Sequence, residues 1–126
     1  LWHEDGRVRS AAVRVLGGIR DPRAQEALAD ALQDADERVR MNAIQGITRN
    51  WGGQGMEGLA KIARNANETG RLRVLAALAI GEVIGDDILA MQAGAVLDTL
   101  MKNPAQRISE SKLQELLWMI EVALGG

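Results

Sequence analysis

One short pattern, written four times, limits what this chain can fold into more than any other feature. Asp34-Ala35-Asp36-Glu37-Arg38-Val39-Arg40 recurs as His3-Glu4-Asp5-Gly6-Arg7-Val8-Arg9, as Asn67-Glu68-Thr69-Gly70-Arg71-Leu72-Arg73 and, weakened, as Asn103-Pro104-Ala105-Gln106-Arg107-Ile108-Ser109. The copies stand 31, 33 and 36 residues apart, the spacing of stacked helical hairpins rather than of one globular core. A hairpin of that size cannot bury its apolar face alone, so each needs its neighbours.

The correspondence runs on past the motif. Val8, Ala12, Val13 and Leu16 fall on Val39, Ala43, Ile44 and Ile47, and then on Leu72, Ala76, Ala77 and Ile80. These offsets trace one stripe of a helix. In the last copy the slots hold Ile108, Lys112, Leu113 and Leu116. A charge in the stripe is the mark of a terminal repeat, which shows one face to water.

Composition narrows the class further. Apolar positions are nearly all Ala, Leu, Val and Ile, with Trp2, Trp51 and Trp118 as the only aromatics, which suits closely packed helices. No strand-like alternation is visible. Twelve Arg and three Lys face seventeen acids, a balance that does not favour nucleic acid or an anionic membrane as partner. The absence of cysteine removes disulfides, thiolate nucleophiles and Cys-ligated zinc. No apolar run of about 18 residues and no basic-then-apolar leader is present, and the expected location is cytoplasmic.

The pattern predicts an all-α chain of about seven helices in three and a half hairpins, forming one repeat domain over 1–126. Helices are expected at about Gly6 to Ile19, 22 to 33, 37 to 49, 55 to 65, 70 to 84, 87 to 101 and 107 to 123, with Gly125-Gly126 fraying. Asp21-Pro22 stops one helix and starts the next, and the Asp36 carboxylate accepts from free amides of the helix it opens. Asn50-Trp51-Gly52-Gly53-Gln54-Gly55 is the most flexible-looking stretch. Leu1 and Trp2 occupy the slots of Leu32 and Gln33, as if at the end of a helix whose earlier turns are missing. The chain therefore reads as a segment of a longer solenoid.

With these residues in view, the chain resembles HEAT repeats of the short bacterial type, in which Asp-x-Asp-x-x-Val-Arg opens the second helix of each hairpin. Val39-Arg40 followed by Ala43, Ile44 and Ile47 carries the likeness, as does Asp21-Pro22-Arg23-Ala24 before a helix ending Ala31-Leu32. The resemblance implies a right-handed α-α superhelix. It also implies a side-chain ladder in which Asp34 bonds Arg40 and its neighbours Arg9 and Arg73, holding repeats in register.

Little in the chain points to chemistry. His3-Glu4 invites comparison with the iron-binding His-Glu pairs of deoxyhypusine hydroxylases, but His3 is the sole histidine and sits in the wrong slot, so no metal or cofactor is expected. Glu4-Asp5, Asp36-Glu37 and Asp86-Asp87 all fall at helix starts, where capping accounts for them. HEAT-like DNA glycosylases need a basic groove that this charge balance does not supply.

In HEAT solenoids the second helix of each hairpin lines the concave side. Outward positions there form three columns: Ala11, Asn42, Leu75, Ser111; Arg14, Gln45, Leu78, Gln114; and Gly18, Arg49, Glu82, Trp118. The expected function is a non-enzymatic scaffold that binds a protein or peptide on this face. Leu75, Leu78 and Trp118 would supply apolar contacts, and Arg14, Gln45 and Arg49 polar ones. An accessory segment of a bilin-lyase-like enzyme subunit is the alternative. A fourth column, Arg7, Arg38, Arg71 and Arg107, reads as a rim able to meet acidic side chains.

Overall fold

The computed structural model describes residues 3–50 and 55–125. Expectations that rest on Leu1, Trp2, Trp51 to Gln54 and Gly126 lie outside the described residues. Among them the chain has seven helices and no strand: α1 (Gly6–Leu16), α2 (Pro22–Ala31), α3 (Glu37–Asn50), α4 (Met56–Arg64), α5 (Gly70–Ile84), α6 (Asp87–Lys102) and α7 (Glu110–Ala123). Three predicted ends run too long: Leu16 ends α1 before Gly17 and Gly18, Ala31 ends α2, and α7 begins at Glu110. The last shift has a clear cause. Ser109 is the N-cap and accepts from the Lys112 amide, so the helix cannot start ahead of it.

The chain divides into two compact units, Leu1–Leu59 and Ala60–Gly126. In the first, α1 packs on α3, and α2 packs on both. The stripe read from the repeat is the core: Val13, Val39, Ala43 and Ile44 are fully buried and Ile47 nearly so. Val8 departs from that reading at 45% exposed. Its counterpart Val39 lies on the stripe of α3 that meets α1 and α2, whereas Val8 sits on the opposite flank of α1 from α3.

Helix starts in this unit share one device. Asp5, Asp21 and Asp36 each accept from the amide two residues on, at 2.9, 2.8 and 2.8 Å. Each also holds the guanidinium of that same residue, Arg7, Arg23 or Arg38. An Asp-x-Arg sequence thus satisfies a free amide and closes a forked ion pair over its own first turn.

In the second unit α5 and α6 form a tight hairpin. Gly85 takes the left-handed conformation at φ 76°, ψ 24°, and the Asp86 amide donates back to the Gly81 carbonyl at 2.9 Å, closing the end of α5. Asp86 then caps α6 by accepting from Leu89. Small residues let the helices approach: a Cβ on Gly81 would come within 2.8 Å of the Ala90 nitrogen. α7 packs on both helices through Leu113, Leu116 and Ile120, all buried.

Candidate interaction surfaces

The six residues expected to bind a partner fall three in each unit. Arg14, Gln45 and Arg49 are exposed on α1 and α3. Arg14 lies in the last turn of α1 and Arg49 in the last turn of α3, where cations are favoured by the carbonyl ends of a helix. Arg49 also leans across to α1. A Cβ on Gly17 would meet its Nη2 at 2.6 Å and the Arg14 carbonyl at 3.4 Å. The structure therefore brings Arg14 and Arg49 to the same end of α1. The neighbouring column serves packing instead: Asn42 Nδ2 donates to Ser10 Oγ at 2.6 Å and to the Ser10 carbonyl at 3.1 Å.

In the second unit, Leu75 and Leu78 are half-buried on α5. Leu78 turns toward α6, with Cδ1 3.8 Å from where a Gly94 Cβ would stand, so part of its surface is already spent on the hairpin. Trp118 is different. Its indole is 67% exposed on α7, and Val122, one turn further on, is 55% exposed.

The expected arginine ladder is present at its first rung. Arg9 Nε and Nη2 donate to the two carboxylate oxygens of Asp34 at 2.9 and 3.0 Å, with both side chains largely buried, 16% and 9% exposed. Arg9 Nη1 reaches the His3 and Glu4 carbonyls, and Arg40 Nη1 reaches those of Asp34 and Ala35 in the same slots. Arg73 is buried and donates Nε to the Ala63 carbonyl at 2.9 Å. The arginines of this position hold turns in place. Arg7 and Arg38, expected at a rim, are drawn onto their own helix caps.

Electrostatics follow these contacts. The Arg38 guanidinium and amide hold the Asp36 carboxyl at about 2. Arg7, Arg23 and Arg9 likewise lower Asp5, Asp21 and Asp34, each chiefly through the side-chain hydrogen bond. A carboxylate stabilised in this way is a poor proton donor near neutrality. Among the described residues, no cluster of three or more His, Cys, Asp or Glu could hold a metal ion.

Several features were not foreseen. Lys112, the charge in the last stripe, is half-buried, and its ammonium reaches out to Gln92 Oε1 at 2.7 Å and to Glu115 Oε2 at 3.4 Å. A surface hollow of about 230 Å³ lies beside it, lined by Val96, Thr99, Leu100, Arg107 and Ile108 among others. Arg64 at the end of α4 pairs with Glu121 at 2.6 Å. Neither of these last two had a sequence signal, because each joins residues that share no repeat position.

No helix among the described residues is long and apolar enough to cross a membrane. No curated protein and no solved structure matches the chain. The family model of HEAT repeats matches residues 1–54, the stretch holding the two strongest copies of the pattern. Helices α1 to α3, with their Asp-capped starts and their Arg9–Asp34 rung, are HEAT repeats.

Proposed function

We propose that this chain is a docking segment that binds another polypeptide and performs no reaction itself, with Trp118 as the centre of an apolar contact on the second unit. HEAT repeats generally mediate protein–protein interaction and are typically scaffolds rather than catalysts. The observation that carries the reading is the exposure of Trp118 beside Val122 on α7, at 67% and 55%, while Leu113, Leu116 and Ile120 of the same helix are buried. An exposed indole with an aliphatic neighbour is the kind of surface on which interface energy concentrates.

Leu75 and Leu78, half-buried on α5 of the same unit, add apolar contacts. On the first unit, Arg14, Gln45 and Arg49 supply polar contacts, the two guanidiniums giving it a preference for carboxylates. Side chains carried on packed helices need little further ordering when a partner arrives, which removes part of the cost of association.

The test is a selection of peptides from a displayed library against the whole chain, followed by titration of the enriched peptides. Trp118→Ser should weaken binding tenfold or more, about 1.4 kcal/mol, with Leu78→Ser costing less. Peptides that bind the Trp118→Ser chain as tightly as the parent would place the contact elsewhere.

A further inference from the structure

The fourth copy of the repeat has lost the partner of its first arginine. Arg7 and Arg38 are forked onto Asp5 and Asp36, two residues earlier, and in the fourth copy that place holds Ala105, ahead of Arg107. Helix α7 starts only at Glu110, so Arg107 stands in the connection from α6, exposed. Among the described residues no carboxylate holds it. Its planar set of donors is open to an outside acceptor.

This guanidinium lines the hollow of about 230 Å³ between α6 and the start of α7. The rest of the lining is largely apolar. Leu100 is buried, Val96 and Ile108 are half-buried, and Ile108 is braced from α5, its Cγ2 lying 3.3 Å from where a Gly70 Cβ would stand. Lys112 adds a second cation, already held by Gln92 and Glu115. No acidic residue is in the lining, and two nearby acids are engaged elsewhere, Glu110 by Gln114 and Asp98 by Lys102. The hollow thus sets an unanswered positive charge beside apolar surface.

We infer that this hollow receives the last residue of a partner polypeptide, its terminal carboxylate on the Arg107 fork and its aliphatic side chain on Val96, Leu100 and Ile108. The volume lies below the roughly 300 Å³ at which pockets for whole small ligands begin, which suits one residue and not a cofactor. That residue must bring a carboxylate and an apolar group together. A chain-terminal leucine or valine carries both on one carbon, whereas aspartate and glutamate place the charge at the tip of the stem that would have to fill the apolar part. Arginine and carboxylate then match as a forked pair. The inference is independent of Trp118, which does not line the hollow.

The probe is N-acetyl-Gly-Gly-Leu with a free carboxylate, titrated against the whole chain and followed by backbone amide resonances. Saturable shifts centred on residues 96–112 are expected. Amidating the probe's terminus should weaken binding about fivefold, the upper range for an exposed ion pair, and Arg107→Gln should do the same. The substitution should leave the melting midpoint within about a degree, as at other exposed sites. Arg107→Lys, which keeps the charge without the fork, should fall between. An amidated probe that binds as tightly as the acid overturns the inference, as does a titration with no saturable shift or one unchanged by Arg107→Gln. So does 4-methylpentanoate binding as tightly as the tripeptide, since the occupant would then be a free carboxylate and not a chain end.

Discussion

In the first unit, α1 and α3 meet at Gly17 and Gly46 and are then pinned by polar bonds between copies: Arg9 to Asp34, Asn42 to Ser10, Asn50 to the Gly17 carbonyl. In the second, α5 and α6 meet at Gly81 and Ala90, and the fit is made by small residues and a left-handed glycine turn. Directional bonds fix register, because a slipped copy leaves a buried donor or acceptor without its partner. Close packing fixes distance, because backbone at van der Waals contact cannot yield. The motif is strongest in the first unit, where these bonds operate, and the family match covers residues 1–54.

The comparison breaks most severely at the close approach. Gly81→Val should cost about 3 kcal/mol or more, since its Cβ would meet the Ala90 backbone at 2.8 Å and no side chain can move aside. Gly18→Ala is the control, with only the Val15 carbonyl at 3.6 Å in its way, and should be close to neutral. Urea unfolding followed by circular dichroism reads both. Equal midpoints for the two variants would show that close packing does not hold α5 to α6.

Next in size is the polar pin. Asp34→Ala removes both acceptors of the Arg9 fork and the oxygen that receives the Asp36 amide at 2.8 Å, leaving a guanidinium in a site only 16% open to water. The melting midpoint should fall by several degrees, and 1 M salt should not erase the difference, because buried pairs are poorly screened. A variant as stable as the parent would make the rung a consequence of packing, not a cause of register.

Acid sharpens the same contrast. Asp5, Asp21, Asp34 and Asp36 all lie below their ordinary values in the folded chain. A depressed carboxyl contributes stability that is complete above the unfolded value of about 3.9 and is lost as pH falls through the folded one, about 2 for Asp36. All four groups sit in the first unit. Protection of the amides in α2 and α3, taken relative to their intrinsic exchange rates, should therefore fall between about pH 4 and pH 2, and Asp36→Asn should flatten that dependence in α3. An α3 whose protection is flat across that window in the parent would remove the caps from the stability of the unit.

Much of this was legible in the repeat. The stripe through Val39, Ala43 and Ile44 gave the core, Asp21-Pro22 and Asp36 gave helix starts, and α5 was placed at its observed ends, because each signal is local and recurs. Three things escaped. The end of α1 lies at Leu16 because the amides of Gly18 and Ile19 turn to the carbonyls three residues back, Val15 and Leu16, a tightening that apolar spacing does not record. Arg7 and Arg38 stand exposed, 76% and 52% at the side chain, yet each is paired with its own cap, and spacing records that a charge recurs and not which carboxylate it turns to. Val8 belongs to the core pattern yet stands 45% exposed, since a repeat specifies which face is apolar and says nothing of whether a neighbour covers it. Of the expected contact residues, Leu78 was placed on the right element but leans on α6, a direction that only the close approach at Gly94 reveals.

The smallest effect on stability is expected where the largest effect on binding is. Trp118 leaves two-thirds of its surface in water, while Leu116 and Ile120 beside it are buried. Trp118→Ser should shift unfolding by no more than about 0.5 kcal/mol, as substitutions at exposed sites away from packing do, since tryptophan and serine have similar helix propensities. Leu116→Ala, two residues away, should cost about 2 to 5 kcal/mol. The pair separates surface from core on a single helix. A loss above about 2 kcal/mol for Trp118→Ser, of the size buried side chains show, would mean that the indole packs in solution; α7 would then be a capped end with no apolar contact to offer.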